Sequence, residues 1–209
     1  MIIYDQIVQM SPEWFALKSG VPSASKADKI LTPTGKLSSQ SVMYMNELLA
    51  EMAGYGDEPF EPNEWMLRGI EMEPEARAFF EFETGRTVAQ VAWITNDEGT
   101  AGCSPDGITG VRTAQAGFEV KCPKASTHIG YLRNGELPPK YAPQIHWSMA
   151  ITGLQDWYFM SYFPGLDPLI VLVSADDYTT KVKVAIDEFT KTLSSEAERL
   201  GIQTARLAA

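Results

Sequence analysis

The sequence predicts an α/β fold in which a central mixed β-sheet is flanked by helices. Three observations carry that prediction. Between residues 11 and 83 apolar residues recur mostly with helical spacing; after Gly85 the chain becomes β-branched and aromatic; and two further strand-like runs precede a long terminal segment with a charged face.

The elements follow in order. Ser11-Pro12-Glu13 opens a helix, with Ser11 as N-cap and Pro12 in the first helical position. Ser23 or Ser25 caps a second short helix that runs through Ile30, and Thr32-Pro33-Thr34-Gly35 is a loop. Ser39 to Ala53 is amphipathic, with Val42, Met45, Leu48, Leu49 and Met52 on one side. Residues 54–63, rich in Gly, Pro and acids, read as a connection. Glu64 to Glu83 is helical again. Pro74 lacks a backbone donor, so the helix is expected to kink or restart there, and Gly85 caps its end. Thr87 to Thr95, Ala101 to Cys103 and Phe118 to Cys122 read as strands, separated by the turn signals Asn96-Asp97-Glu98-Gly99 and Pro105-Asp106-Gly107. A helix is expected within Ser126 to Asn134 and another from about Pro139 to Thr152. Trp157 to Phe163 and Leu169 to Ser174 form a hairpin, and Asp177 to Leu200 is the last helix. No repeat, low-complexity tract or dividing linker interrupts the 209 residues, so one domain is expected.

Lys and Arg number 17 against 27 Asp and Glu, a net charge of −10. That excludes a basic protein that coats nucleic acid, but not one with a confined basic channel and an acidic exterior. No apolar run approaches the ~18 residues of a membrane span. Met1 to Met10 contains Asp5 and no cationic leader, so no signal peptide is expected. Cys103 and Cys122 are too few for a disulfide framework and fit a cytosolic, cytoplasmic location. A zinc site would need both cysteines with His128 and His146, at spacings unlike the compact Cys-x-x-Cys pattern. Gly35-Lys36-Leu37 is not a Walker loop, because its first glycine is missing.

Ser104-Pro105-Asp106-Gly107 taken alone is a turn. Glu119-Val120-Lys121 taken alone is a strand whose Phe118, Val120 and Cys122 share one face while Glu119 and Lys121 share a solvated one. Together they say more. Asp106 precedes Glu119 by 13 residues, and an antiparallel pair of that length can bring Asp106, Glu119 and Lys121 to one side of a sheet. Two carboxylates that close repel unless a cation lies between them, and hard oxygen ligands suit Mg²⁺. A neighbouring lysine can orient a water, which completes a kit for hydrolysing a phosphodiester. Glu73, on the interrupted helix after Arg68-Gly69, can add a third carboxylate. Tyr141 and Gln144 lie three apart on one helix face. Lys18, Ser23 and Ser25 stand near a helix start, where phosphate is well received.

Asp followed by Glu-x-Lys is the signature of the PD-(D/E)XK nuclease superfamily. From Glu13-Trp14 to about Phe189 the chain resembles the lambda-type phage exonucleases, the YqaJ-like viral recombinase family. The resemblance is strongest at Leu48 to Glu51, Glu73 to Phe82, Cys103 to Gly107, Glu119 to Pro123, Tyr141 to Met149 and Trp157 to Phe159. It implies an enzyme that degrades one strand of linear double-stranded DNA, 5′→3′, to mononucleotides. It implies that Asp106, Glu119 and the carbonyl of Val120 hold Mg²⁺, with two metals about 3.5–4 Å apart and Mn²⁺ able to substitute. Lys121 would position the water, Glu73 would assist, and Tyr141 and Gln144 would flank the site. Lys18, Ser25 and Ser104 would hold phosphate, including the terminal 5′-phosphate. The loop Thr32 to Ser38 and the pair Trp65-Met66 would engage the opened DNA end. The best-known member carries arginine where Lys18 stands, and a lysine lacks the planar fork. Pro74, directly after Glu73, also departs from the pattern. The resemblance further implies a homotrimeric ring, with duplex entering one side and single strand leaving the other, and a single-strand annealing protein as partner.

Other readings stay open at this point. One is a different nuclease of the same superfamily, RecB-like or Cas4-like, although two cysteines are half of what a Cas4-like iron–sulfur cluster uses. Another is a non-catalytic DNA-binding module, which would lack one of Asp106, Glu119 or Lys121. A third is a Cys–His hydrolase built on Cys122 with His128 or His146.

Overall fold

The computed structural model describes residues 1–56, 64–110 and 115–202, with the backbone alone at Trp65 and Met66. Ile2–Tyr4 forms β1 and Pro12–Lys18 forms α1, where the Ser11 hydroxyl accepts from the Trp14 N–H and Pro12 occupies the first turn. The second short helix is 3₁₀ rather than α, Ala24–Lys29, and its N-cap Ser23 makes no capping bond. Next come α2 (Ser41–Met52), α3 (Glu64–Thr84), β2 (Val88–Ala89), β3 (Trp93–Thr95), β4 (Gly102–Cys103), β5 (Gly107–Thr109), β6 (Ala116–Lys121) and α4 (Ala125–Asn134). A 3₁₀ turn, Pro139–Tyr141, leads into α5 (Ala142–Thr152), then β7 (Asp156–Ser161), β8 (Leu169–Ser174) and α6 (Asp177–Arg199).

The expected mixed α/β architecture is present, with five differences in detail. β1 is not among the expected strands. Thr87 to Thr95 is two strands in two sheets: β2 pairs with β5, while β3 lies between β1 and β4. The break comes at Ala92, whose carbonyl accepts from the Trp14 indole and the Ser104 hydroxyl and is spent on side chains. Gly107 begins a strand rather than closing a turn. Along α2 the buried residues are Ser41, Tyr44, Leu48 and Leu49, and Val42 is 72% exposed. The Tyr44 ring stacks on Phe189 of α6 at 5.9 Å, which rolls the helix away from Val42. Finally, α3 runs unbroken through Pro74, which is exposed, and ends where Gly85 adopts φ +66. Of the expected connection over 54–63, residues 57–63 lie outside the described residues.

The larger sheet has the order β2-β5-β6-β7-β8, antiparallel throughout except for the parallel pair β6–β7. Helices cover both faces. Ala76 and Phe80 of α3 pack on Phe118, Val120 and Met160 on one side. Ile145 and Met149 of α5 pack on Trp157, Phe159 and Leu169 on the other. α6 starts at an Asp176–Thr179 capping box and packs a Val182, Ile186, Phe189, Leu193 stripe into the core shared with α2 and α5. β6 is therefore buried on both faces, and Glu119 is only 2% exposed.

Gly117 shows how closely the α5 side of the sheet is packed. A Cβ there would lie 2.1 Å from the ring of its cross-strand partner Trp157. Gly117→Ala is expected to destabilise the protein by about 2 kcal/mol or more, read as a lowered denaturant midpoint with an unchanged slope.

Candidate active site

The hairpin β5–β6 builds the site. Its register pairs Gly107 with Phe118, so one step further Asp106 stands opposite Glu119. The Asp106 Oδ2 accepts from the Val120 N–H at 2.7 Å, which fixes the carboxylate against β6. Alternation along β6 sends Phe118 and Val120 into the α3 core, with Cys122 packed against them, and turns Glu119 and Lys121 to the opposite face. That face is not solvated, as a lone strand would suggest. Glu119 Oε1 accepts from the Lys121 ammonium and, at 2.5 Å, from Gln144 Nε2 on α5. Tyr141 stands beside this pair. Its ring lies 5.2 Å from Phe159 and 5.8 Å from the Lys121 Nζ. Glu73 arrives from α3, half-buried.

The electrostatics follow from burial. Desolvation first, and then the neighbouring Asp106, push both Glu73 and Glu119 up to about 7. Burial raises Asp106 as well, opposed by Lys121, the Val120 N–H and Arg77. Burial alone would lower Lys121, but Glu119 and Asp106 outweigh it and hold the ammonium charged. Three carboxylates with raised pKa values and one committed lysine form a cluster short of positive charge. Among the described residues, no group of three or more His, Cys, Asp or Glu is ready to hold a metal ion. The expected ligand set needs only two carboxylates and a backbone carbonyl. Asp106 Oδ1 and Glu119 Oε2 take no part in the hydrogen bonds above, so hard oxygen donors are available, and these residues fit a divalent cation.

A second cluster lies two residues upstream of Asp106. The Trp14 indole N–H donates to both Ala92 O and Ser104 Oγ at 3.0 Å. Ser104 in turn gives its proton to Ala92 O at 2.6 Å, so its hydroxyl reaches another acceptor only by leaving that carbonyl. The Lys18 Nζ sits 3.6 Å over the Trp14 ring and 5.4 Å from that of Trp93. Ser23 bridges to Gly102, and its hydroxyl meets that of exposed Ser25 at 3.3 Å. Lys18, Ser25 and Ser104 are thus gathered around β4, on the chain that leads to Asp106. The expected DNA-end loop is pinned elsewhere, to α6, by the Tyr178 hydroxyl on Thr32 O at 2.9 Å. The side chains of Trp65 and Met66 lie outside the described residues.

Lys18 makes a testable prediction. Burial, assisted by Lys26 and opposed by Glu51, lowers it to about 8 from 10.5. Between those values the unfolded chain binds more protons than the folded one, so stability rises with pH there, and the burial cost is fully present below the lower value. Melting curves should show wild type gaining on Lys18→Met as pH rises from 7 to about 10.5.

The thiol and imidazole alternatives lose ground. Burial, then Glu73, pushes the Cys122 thiol up to about 12, which is no nucleophile at neutral pH. His128 is spent on Ser161 Oγ and Asp167 O, and His146 on Thr179 Oγ1. Cys103 is fully buried in the core.

A YqaJ-like viral recombinase domain matches residues 13–155, a span that holds every residue of both clusters. The chain belongs to the YqaJ-like viral recombinase family. Among solved structures it is similar to an alkaline exonuclease, LHK-Exo, from Laribacter hongkongensis, at 33% identity and a TM-score of 0.79, over 95% of this chain and 100% of that one. The same protein in complex with dAMP matches at 32% identity and a TM-score of 0.79, with the same coverage. A phage related exonuclease from Haemophilus somnus shares the fold at 15% identity and a TM-score of 0.62, over 84% of this chain and 96% of that one. No protein of curated function matches the chain significantly in sequence.

Sequence reasoning gave no role to three residues, two of them within the YqaJ-like span. Gln9 Nε2 donates to Val91 O at 3.1 Å and Pro105 O at 3.2 Å, clamping the N-terminal segment to the backbone beside Asp106. The Trp14 indole sets Ser104. Arg77 lies one turn beyond Glu73, close enough to Glu73 and Asp106 to oppose the rise in both. Only the last carried a sequence signal, the i, i+4 spacing from Glu73. Arg68, noted beside Gly69, donates to Cys122 O at 3.1 Å and ties α3 to the end of β6. Among the described residues no helix is long and apolar enough to cross a membrane.

Proposed function

We propose that the protein is a metal-dependent deoxyribonuclease that hydrolyses one strand of linear double-stranded DNA, 5′→3′, to mononucleotides and leaves a 3′ single-stranded overhang for annealing-type recombination. The observation that carries this reading is the convergence of Asp106, Glu119 and Lys121 on one face of a paired hairpin. Family membership supports it, as do the alkaline exonuclease relative and the capture of that relative with a mononucleotide.

Asp106, Glu119 and the Val120 carbonyl are the residues that would hold Mg²⁺, two ions in the full complement, with Mn²⁺ a substitute. A cation held there supplies Lewis acidity to the scissile phosphate and lowers the pKa of water. The chain's own residues do the rest. Lys121 orients the attacking water and offsets charge on the phosphate. Gln144 holds the Glu119 carboxylate in place, Tyr141 confines the Lys121 stem, and Glu73 receives a proton from water in the site. Lys18, Ser25 and Ser104 receive the 5′-phosphate left by the previous cut. The protein acts as one nuclease domain in the cytoplasm, in a trimeric ring around DNA, beside a single-strand annealing protein.

The test is digestion of linear duplex labelled separately at its 5′ and 3′ ends, with Mg²⁺ or with EDTA. Early release of 5′-labelled mononucleotide, abolished by EDTA, is the expected result. Internal cuts would make it an endonuclease on the same fold. Intact DNA that stays bound would sink the enzyme reading.

A further inference from the structure

Besides Lys121, α3 sends a cation toward the carboxylates. Arg77 follows Glu73 by one turn on the same face of the helix. The neighbouring row, Ala76 and Phe80, is fully buried against Phe118 and Val120 of β6, and that packing fixes where the Arg77 stem leaves the helix. The other cations of the site are committed: Lys121 to Glu119, and Arg68 to the carbonyls of Cys122 and Pro123. Arg77 is not. Its Nε is buried without a hydrogen-bond partner, and among the described residues its guanidinium forms no ion pair.

A buried N–H without an acceptor is rare in native proteins and points to a missing partner. Glu73 and Asp106 lie near Arg77, yet neither closes on it. A planar fork of donors, anchored at its stem and left open beside carboxylates, is suited to a doubly bonded oxyanion. We propose that Arg77 binds the non-bridging oxygens of a phosphate at the end of the strand being cut, on the α3 side of the site and across from Lys121. The inference rests on the nuclease reading above and adds a substrate-binding residue that the Asp and Glu-x-Lys pattern does not contain.

The test is a coupling measurement made on binding, so that it stands apart from cleavage. Affinity for a 5′-phosphorylated duplex end is measured in Ca²⁺, with ordinary DNA and with uncharged methylphosphonates at the first two linkages of the 5′ strand. Wild type, Arg77→Met and Arg77→Gln are compared, each checked by melting temperature, and the glutamine variant stands in if methionine disturbs the fold. Arg77→Met is expected to weaken binding of ordinary DNA about tenfold. The methylphosphonates should cost wild type a similar factor and the variant almost nothing, because the contact is already gone. Equal methylphosphonate penalties in wild type and variants overturn the proposal. A parallel digestion in Mg²⁺ separates the two readings: wild type that cuts ordinary DNA but shows no coupling removes the Arg77 contact alone, whereas wild type that cuts nothing removes the nuclease reading and this contact with it.

Discussion

Lys121→Ala is expected to slow mononucleotide release from duplex ends by about 10³-fold or more, with DNA-end affinity changed only severalfold. Lys121 is the ammonium bound to the buried Glu119 carboxylate, and Glu119 and Asp106 hold it charged. The loss should appear in kcat, because the charge matters most as the attacking water and the phosphate develop their own. Lys121→Arg should not restore the rate, since a planar guanidinium does not reproduce a point charge at the same place. Single-turnover digestion with saturating enzyme is the measurement. Cys122→Ala in the same assay should keep most activity, because the thiol packs against the α3 core on the opposite face of β6. A dead Cys122→Ala with an active Lys121→Ala would reverse the assignment.

Glu119→Gln should separate stability from activity in opposite directions. Activity should again fall about 10³-fold or more, because a carboxylate that would hold the cation is gone. Stability without metal should rise. The folded pKa of Glu119, about 7, lies above its ordinary 4.5. Between those values the folded chain binds more protons than the unfolded one. Stability therefore falls as pH rises through that window, and the cost of the buried charge is fully present above it. The amide of Glu119→Gln carries no such cost and can still accept from Gln144. In EDTA at pH 8 the variant should melt above wild type, in the direction that the raised Glu119 pKa sets. At pH 4.5 the two should melt together. Mg²⁺ should raise the melting temperature of wild type at pH 8 and leave the variant nearly unmoved.

How much of this was legible beforehand depends on the distance over which residues act. Asp106, Glu119 and Lys121 could be placed together because an antiparallel hairpin has a register that can be counted and strand alternation a period of two. Helix ends with local chemistry were legible in the same way: Ser11 with Pro12, Gly85, and the start of α6 at Asp177 all appear where expected. The split of Thr87 to Thr95 was not. It depends on the Ala92 carbonyl being taken by Trp14, 78 residues away in sequence, and by Ser104. Val42 and Tyr44 could not be ranked either, because both fit a helical stripe and only Phe189 of α6 chooses between them.

The sequence by itself determined the class of fold, the order of nearly all its elements and the core of the site, since these follow from periodicity, turn chemistry and counting along a single hairpin. Tertiary structure alone decided that the Glu119 face is buried rather than solvated, that Gln144 and Lys121 share one of its oxygens, that the Ser104 proton is already spent, and that Arg77 stands open beside Glu73. Those outcomes depend on α3 and α5 closing over opposite faces of β6, and side-chain burial and partner geometry arise only when segments distant in the chain pack together.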